Sequence, residues 1–504
     1  MISVLEWLEK DARAFPEKVA FADEAGQVNY EQLLHHARCI GSYLAARANE
    51  CSPIACYLEK STTAICAMLG AVYARCCYCV VDVRQPAQRV RAIAQQLEPA
   101  LVVADNAHYE EARAVFLEAG FQVVRIEDIM SAAIDEPLLA ARRANALDCD
   151  PLYINFTSGS TGTPKGVVVG HRSVIDFIQS FTHIFGITQN DIIANQAPFD
   201  FDVSVKDIYG SLCCGASVQM IPREYFSIPT KLMDFLCERE VTICTWAVSA
   251  MCFVSIMGGF EYRVPSTIAK VIFSGEVMPV KQLNIWRKYL PDALFANVYG
   301  PTEVTCNCTY QIIDEDYEDE AVIPMGVPFP NEKVFLLDAE NHLVEEPGAE
   351  GEICVGGTAL ALGYYNDSEK TAEVFVQNPL NPSYIEIIYR TGDIGYRDER
   401  GRFVYASRKD HQIKHMGQRI ELGEIDAAAQ AVDGVSRACT IYDSRRKKIL
   451  LFYTGECEKD ALVELLREQL PQYMVPNRTR QIEQMPLTKN GKIDREALTN
   501  MKKK

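Results

Sequence analysis

The sequence predicts an α/β protein, with a large N-terminal domain of parallel-type αβ subdomains plus a small β-rich subdomain, followed by a small α+β C-terminal domain. Three observations predict it. Helical and extended patterns alternate through the early chain, short glycine-punctuated strands set in from Gly351, and amphipathic helices return after Arg408 to Gln412. The domains are placed at residues 1–408 and 409–504.

Taken in order, Ser61 to Ala74 reads as an apolar helix, Tyr78 to Val83 as a buried strand, Arg89 to Leu97 as a helix and Leu101 to Ala104 as a strand. Strands joined by helices imply parallel pairing. Cys76 and Cys79 make a C-x-x-C around Cys77, but no second pair or nearby His completes a zinc set, so core thiols are expected.

Tyr153 to Gly166, YINFTSGSTGTPKG, is a strand running into a loop, and Val167 to Val169 returns as a strand. Ser173 with Asp176 reads as a capping box opening a helix whose Val174, Phe177, Ile178 and Phe181 share a face. The acids of Asp314 to Glu320, DEDYEDE, read as a solvated turn.

GEICVGG from Gly351 and GRFVYAS from Gly401 form the β-rich layer. Beyond it, Glu421 to Val432 and Ala461 to Leu470 read as helices, the second with Leu462, Leu465 and Leu466 on one face and Pro471 ending it.

The chain's 504 residues suggest two to four structural units, and 48% hydrophobic with 23% charged residues is an ordinary globular composition. A net charge of -18 repels phosphate backbones and anionic lipid, which argues against nucleic-acid or membrane partners. Met1 to Pro16 carries Glu6, Glu9, Lys10 and Asp11, unlike a secretion leader, and no apolar run reaches the ~18 residues of a membrane span. A cytoplasmic protein with reduced cysteines is expected.

The strongest chemical signal is the loop of Thr157, Ser158, Gly159, Ser160, Thr161, Gly162 and Thr163, followed by Lys165. Glycines let backbone N–H groups converge, hydroxyls add donors and the lysine adds charge, which suits a polyphosphate. The common G-x-x-x-x-G-K-[ST] pattern fails, because Gly166 follows Lys165.

Further motifs follow in order: NVYGPTE from Asn297 to Glu303, YRTGD from Tyr389 to Asp393, SRKDHQIKHMGQRIELGEID from Ser407 to Asp426, and PLTKNGKIDR from Pro486 to Arg495. With these, nearly the whole chain resembles the adenylate-forming enzymes, the superfamily of acyl-CoA synthetases, luciferases and amino-acid adenylation domains.

The resemblance implies ATP and Mg²⁺, and a C-terminal domain that moves as a lid. It assigns the Thr157 to Lys165 loop to pyrophosphate, and Asn297, Tyr299, Gly300, Pro301 and Thr302 to the nucleotide. Glu303 would ligate Mg²⁺, and Asp393 and Arg408 would hold the ribose hydroxyls. Lys492 would meet the carboxylate and α-phosphate, while Asp410 marks the pivot about which Lys414 to Gly417 replaces Lys492, admitting a thiol. Carboxylate attack on an α-phosphorus needs such cations and oriented donors, to relieve anion repulsion and stabilise the leaving pyrophosphate.

FDVS, from Phe201 to Ser204, resembles the amino-acid-activating branch, whose Asp binds the substrate's α-ammonium. By matching positions the pocket comprises Phe201, Asp202, Val203, Lys206, Thr245, Ile272, Ser274, Val298, Cys306 and Asn307. Asn195 to Leu212 resembles the stand-alone ligases that load D-alanine onto a carrier protein. Ser274, where those carry Cys, and Lys206, where they carry an apolar residue, depart from them.

Lys206 and Asn307 could therefore meet an acidic or polar side chain, or Lys206 could pair with Asp202 four residues away. The expected activity is amino-acid adenylation and transfer to the phosphopantetheine of a separate carrier protein, whose docking would use Arg445, Arg446, Lys447 and Lys448. A D-alanine:carrier protein ligase proper, an acyl-CoA ligase for a small carboxylic acid and an inactive nucleotide sensor are the alternatives.

Overall fold

The computed structural model describes residues 1–159, 164–319, 321–410, 412–487 and 493–501. Two sheets of largely parallel strands form its body. One has seven strands, in the order Gly363–Tyr364, Lys165–Gly170, Pro151–Thr157, Cys77–Val80, Pro53–Tyr57, Leu101–Ala104, Val123–Arg125; its first two pairings are antiparallel and the rest parallel.

The other has nine strands, five parallel pairings joining Val19–Ala22, Ser217–Met220, Ile192–Asn195, Ile243–Ala247, Lys270–Ser274 and Leu294–Tyr299. An antiparallel five-stranded sheet contains Gly351–Gly357, Ile387–Arg397 and Phe403–Arg408.

Local chemistry explains the element boundaries. Ser61 accepts from Ala64 N–H at 3.2 Å and so caps the helix Thr62–Tyr73. The strand read as Tyr78 to Val83 is Cys77–Val80: Asp82 takes the Arg84 N–H at 3.0 Å and folds the chain into a turn. Cys76, Cys77 and Cys79 are buried there, and burial pushes the Cys76 thiol up to about 12, as core thiols behave.

Three sequence expectations change. The helix His171–Ile184 begins before Ser173, whose hydroxyl donates to Leu360 O at 3.0 Å instead of closing a capping box. Glu315 in the acidic run is no free surface acid: Arg400 and Arg402 donate to it at 2.7 and 2.6 Å, tying the run to the β layer. Leu462 and Leu466 are buried by the helix Lys459–Gln469, but Leu465 is exposed, because i and i+4 share a face that i+3 only flanks here.

Beyond residue 408 the chain builds a two-stranded hairpin, a three-stranded sheet and helices around their own core of Ile420, Leu422, Ile425, Leu451, Leu462 and Leu466. No helix among the described residues is long and apolar enough to cross a membrane.

The nine-stranded sheet is covered by an aromatic cluster. Trp246, Trp286 and Phe260 meet edge to face, and the Trp286 indole donates to Met251 O at 3.0 Å. Trp286→Ala should cost about 3–5 kcal/mol, through lost transfer energy, a cavity and an orphaned carbonyl. Denaturant unfolding checks it, and a change below about 1 kcal/mol would contradict this account of the core.

Candidate active site

Parallel sheets present ligands at the carboxyl ends of their strands. Thr157 ends one strand, Ser274 another, Gly300 to Thr302 follow Tyr299, and Asp200 to Val203 follow Asn195. All these ends border one cleft, closed on its far side by Arg408, Gln412, Lys414, Gln418 and Arg419.

The cleft requires two backbone features. A Cβ at Gly300 would lie 2.5 Å from Asn307 Cα and 2.8 Å from Cys306 O, so only glycine lets the strand end pass this loop. Thr305 and Cys306 have φ of 52° and 77°, a left-handed bend anchored by the Thr305 hydroxyl donating to Ala359 O at 2.6 Å. The bend turns Cys306 and Asn307 toward the cleft.

At one end, Tyr299 donates to Asp393 at 2.6 Å and Arg408 to its other oxygen at 2.7 Å. Arg408 also forks onto both Asp410 oxygens, at 2.7 and 2.8 Å. Burial pushes the Asp410 carboxyl up, but the Arg408 fork outweighs it and leaves it lowered. Asn297 spends its amide on Pro324 O at 2.8 Å, which makes it a brace for the strand.

In the middle, Glu303 is fully buried, with the Tyr364 hydroxyl on one oxygen and Arg419 on the other, each at 2.7 Å. Burial alone would raise its carboxyl, but the Arg419 and Lys165 charges and the Tyr364 bond hold it down to about 2.

Lys165 stands near it, with its Nζ over the Tyr364 ring at 5.4 Å, while Thr157 and Ser158 line the cleft. Burial lowers the Lys165 ammonium. Gly159 adjoins Ser158; Ser160, Thr161, Gly162, Thr163 and Lys492 lie outside the described residues.

The far side is the hairpin Gln412–His415 and Gln418–Glu421, turning through Met416 and Gly417 at φ of 53° and 78°. Gly417 N–H donates to Glu276 at 2.8 Å, and Lys414 Nζ stands 5.4 Å from the Tyr299 ring centre, with burial lowering its ammonium. Lys447, one of the expected docking cations, is committed within the chain, to Glu276 at 2.9 Å.

At the substrate end, Phe201, Asp202, Val203, Ser274, Cys306 and Asn307 line the cleft. Lys206, buried in the helix Ser204–Cys214, approaches from behind and donates to Asn307 Oδ1 at 3.1 Å and Ser274 Oγ at 3.4 Å. The alternative pairing with Asp202 fails. Asp202 precedes the helix, and among the described residues no carboxylate lies within 4.0 Å of Lys206 Nζ.

Thr245 is turned to buried Asp207, which also takes the Asn195 amide at 2.8 Å, while Ile272 and Val298 pack in the core.

Sequence reasoning missed Tyr364, Glu276, Arg419, Glu421 and Glu424. Arg419 and Glu421 could have been found: within the hinge motif they alternate on an extended strand and so share a face. Tyr364 and Glu276 carry no local signal.

The model of the AMP-binding enzyme family matches residues 8–365. The chain belongs to this family. It is 32% identical over 464 residues to the L-proline--[L-prolyl-carrier protein] ligase of Streptomyces coelicolor (strain ATCC BAA-471 / A3(2) / M145), covering 88% of this chain and 86% of that one.

Over 500 residues it is 31% identical to bacitracin synthase 1 of Bacillus licheniformis, covering 98% of this chain but 9% of that relative's length. Among solved structures, a holo NRPS protein containing adenylation and PCP domains, bound to a vinylsulfonamide inhibitor, superposes with a TM-score of 0.84 at 25% identity, over 99% of this chain and 84% of that one.

In an AMP-binding enzyme the Gly300 approach should be intolerant of any side chain. Gly300→Ala is expected to weaken AMP binding by more than about tenfold while the fold persists, because the shift is confined to a loop. Calorimetric titration with circular dichroism checks it; unchanged AMP affinity would contradict the geometry.

Proposed function

We propose that this chain adenylates an amino acid with ATP and passes the aminoacyl group to the phosphopantetheine thiol of a separate carrier protein in the cytoplasm. The observation that carries the reading is Asp202 at the wall of a cleft that also holds Asp393, Arg408 and Lys414, with Glu303 buried behind the cleft-lining Arg419. A carboxylate there suits an α-ammonium, and the carrier-protein ligase and NRPS relatives agree with it.

In this reading Asp393 and Arg408 take the ribose hydroxyls. Ser158, Gly159 and Lys165, with Ser160 to Thr163, take the pyrophosphate. Lys492 steadies the attacking carboxylate and the α-phosphate. Residues 409–504 move as a lid on residues 1–408, with Asp410 at the pivot.

Mg²⁺ fits Glu303, since a buried ionised carboxylate is the hard oxygen donor that this ion takes alongside substrate phosphates. When bound, it would neutralise charge on those phosphates. After adenylation Lys414 and Gly417 line the route by which the thiol reaches the acyl carbon.

The substrate follows from Lys206. A buried ammonium hydrogen-bonded to the neutral Asn307 and Ser274, with the Asp202 and Asp207 charges beyond ion-pair distance, lacks a direct anionic partner, which a substrate carboxylate supplies. The proposed substrate is aspartate or glutamate.

Pyrophosphate exchange against the twenty L-amino acids plus D-alanine, D-glutamate and D-aspartate tests this. An acidic amino acid should be selected, and Lys206→Met should cost roughly ten- to hundredfold in kcat/KM, the worth of a charged hydrogen bond. D-alanine selection unaffected by Lys206→Met would overturn the acidic substrate. Exchange with none of them would overturn the activity.

Asp202 adds a pH dependence. Burial raises its carboxyl above the ordinary 3.8, against the Thr302 hydrogen bond and the Lys206 charge. On acidification it therefore takes up its proton at a higher pH than an ordinary Asp and loses its hold on the α-ammonium. The amino-acid KM should rise as pH falls through a window above 3.8. A KM flat to that limit would contradict it.

A further inference from the structure

The groups assigned to pyrophosphate and metal are already engaged by the lid. Ser158 Oγ donates to Arg419 O at 2.9 Å and accepts from Glu421 N–H at 3.2 Å. Lys165 Nζ stands 3.9 Å from the Glu421 carboxylate. Glu424, paired with buried Arg89 through one oxygen, lies near the Gly159 backbone, which offsets part of the burial of its carboxylate. Arg419 holds Glu303 at 2.7 Å. Anions from the lid thus meet the phosphate loop, and a cation from the lid meets the metal-type carboxylate.

We propose that Arg419, Glu421 and Glu424 form an internal mimic of magnesium pyrophosphate, with the two carboxylates in the anion's place on the loop and the guanidinium in the cation's place on Glu303. The inference rests on the proposed function and adds a regulation to it. Each of these contacts uses a group that the product needs, so the closed lid and bound pyrophosphate compete. Release of pyrophosphate leaves a buried carboxylate and an electropositive loop uncompensated, and the lid satisfies both by closing. Closure also brings Lys414 and Gly417 into the cleft, so the thiol-accepting arrangement follows product release without a separate signal.

The test is hydrogen–deuterium exchange of the hairpin amides in the full chain bound to AMP, with inorganic pyrophosphate plus Mg²⁺ or with Mg²⁺ alone. At about ten times its Kd, pyrophosphate should speed exchange at Glu421 about tenfold, whereas Arg419→Gln and Glu421→Gln should exchange fast already and respond less than about twofold. Arg419→Lys, which keeps the charge, should recover part of the response, and this separates the contact from a general loss of fold.

Wild-type amides indifferent to pyrophosphate that calorimetry shows to be bound overturn the proposal, as do pyrophosphate that does not bind and a full response in both variants. A chain that carries out amino-acid-dependent pyrophosphate exchange but shows no hairpin response loses the latch alone. A hairpin response without such exchange for any amino acid retains the latch and removes the activity.

Discussion

A carboxylate with no access to water must face a cation or hydrogen-bond donors, and Glu303 is such a carboxylate. Its position is dictated by the strand Leu294–Tyr299, by Gly300 slipping beneath the Asn307 loop, and by the short helix Thr302–Val304. Its cation is Arg419, with the Tyr364 hydroxyl on the other oxygen. Arg419 reaches it because the hairpin lies in the cleft, held by the left-handed Met416 and Gly417 turn and by the Lys447 and Arg89 ion pairs. The arrangement of the chain beyond residue 408 is thus tied to one buried charge.

The same constraint accounts for the other charges in the cleft. Asp393 is satisfied by Tyr299 and Arg408, Asp207 by Thr245 and Asn195, and Asp410 by the Arg408 fork. Lys206 has neutral partners, and it is the residue from which the substrate's side-chain charge is inferred. A uniformly compensated pocket would have carried no such information.

Much of the fold was legible because its signals are local. The strand Leu101–Ala104 and the helix Ala87–Leu97 follow from apolar runs and helical spacing. What was misread depended on neighbours distant in sequence. The Ser173 hydroxyl was taken for a cap because its partner, Leu360 O, lies 187 residues away. Glu315 looked as solvated as its exposed neighbours because Arg400 and Arg402 are contributed by another sheet. Lys206 and Asp202 have the spacing of a helical pair, but the helix starts at Ser204, so the spacing had no helix to act through. In the site, motif matching located Glu303, Asp393 and Arg408, whereas Tyr364 and Glu276 owe their place to tertiary packing alone.

In the proposed reaction, attack by the amino-acid carboxylate on the α-phosphorus of ATP is the step on which the other steps depend. Supplying the selected amino acid with ¹⁸O in its carboxylate and following the label through one complete transfer tests it most directly. The oxygen that forms the bond to phosphorus stays there when the acyl–oxygen bond breaks, so the account requires one ¹⁸O in each AMP and none in pyrophosphate. Label in pyrophosphate or orthophosphate, or unlabelled AMP, would contradict it.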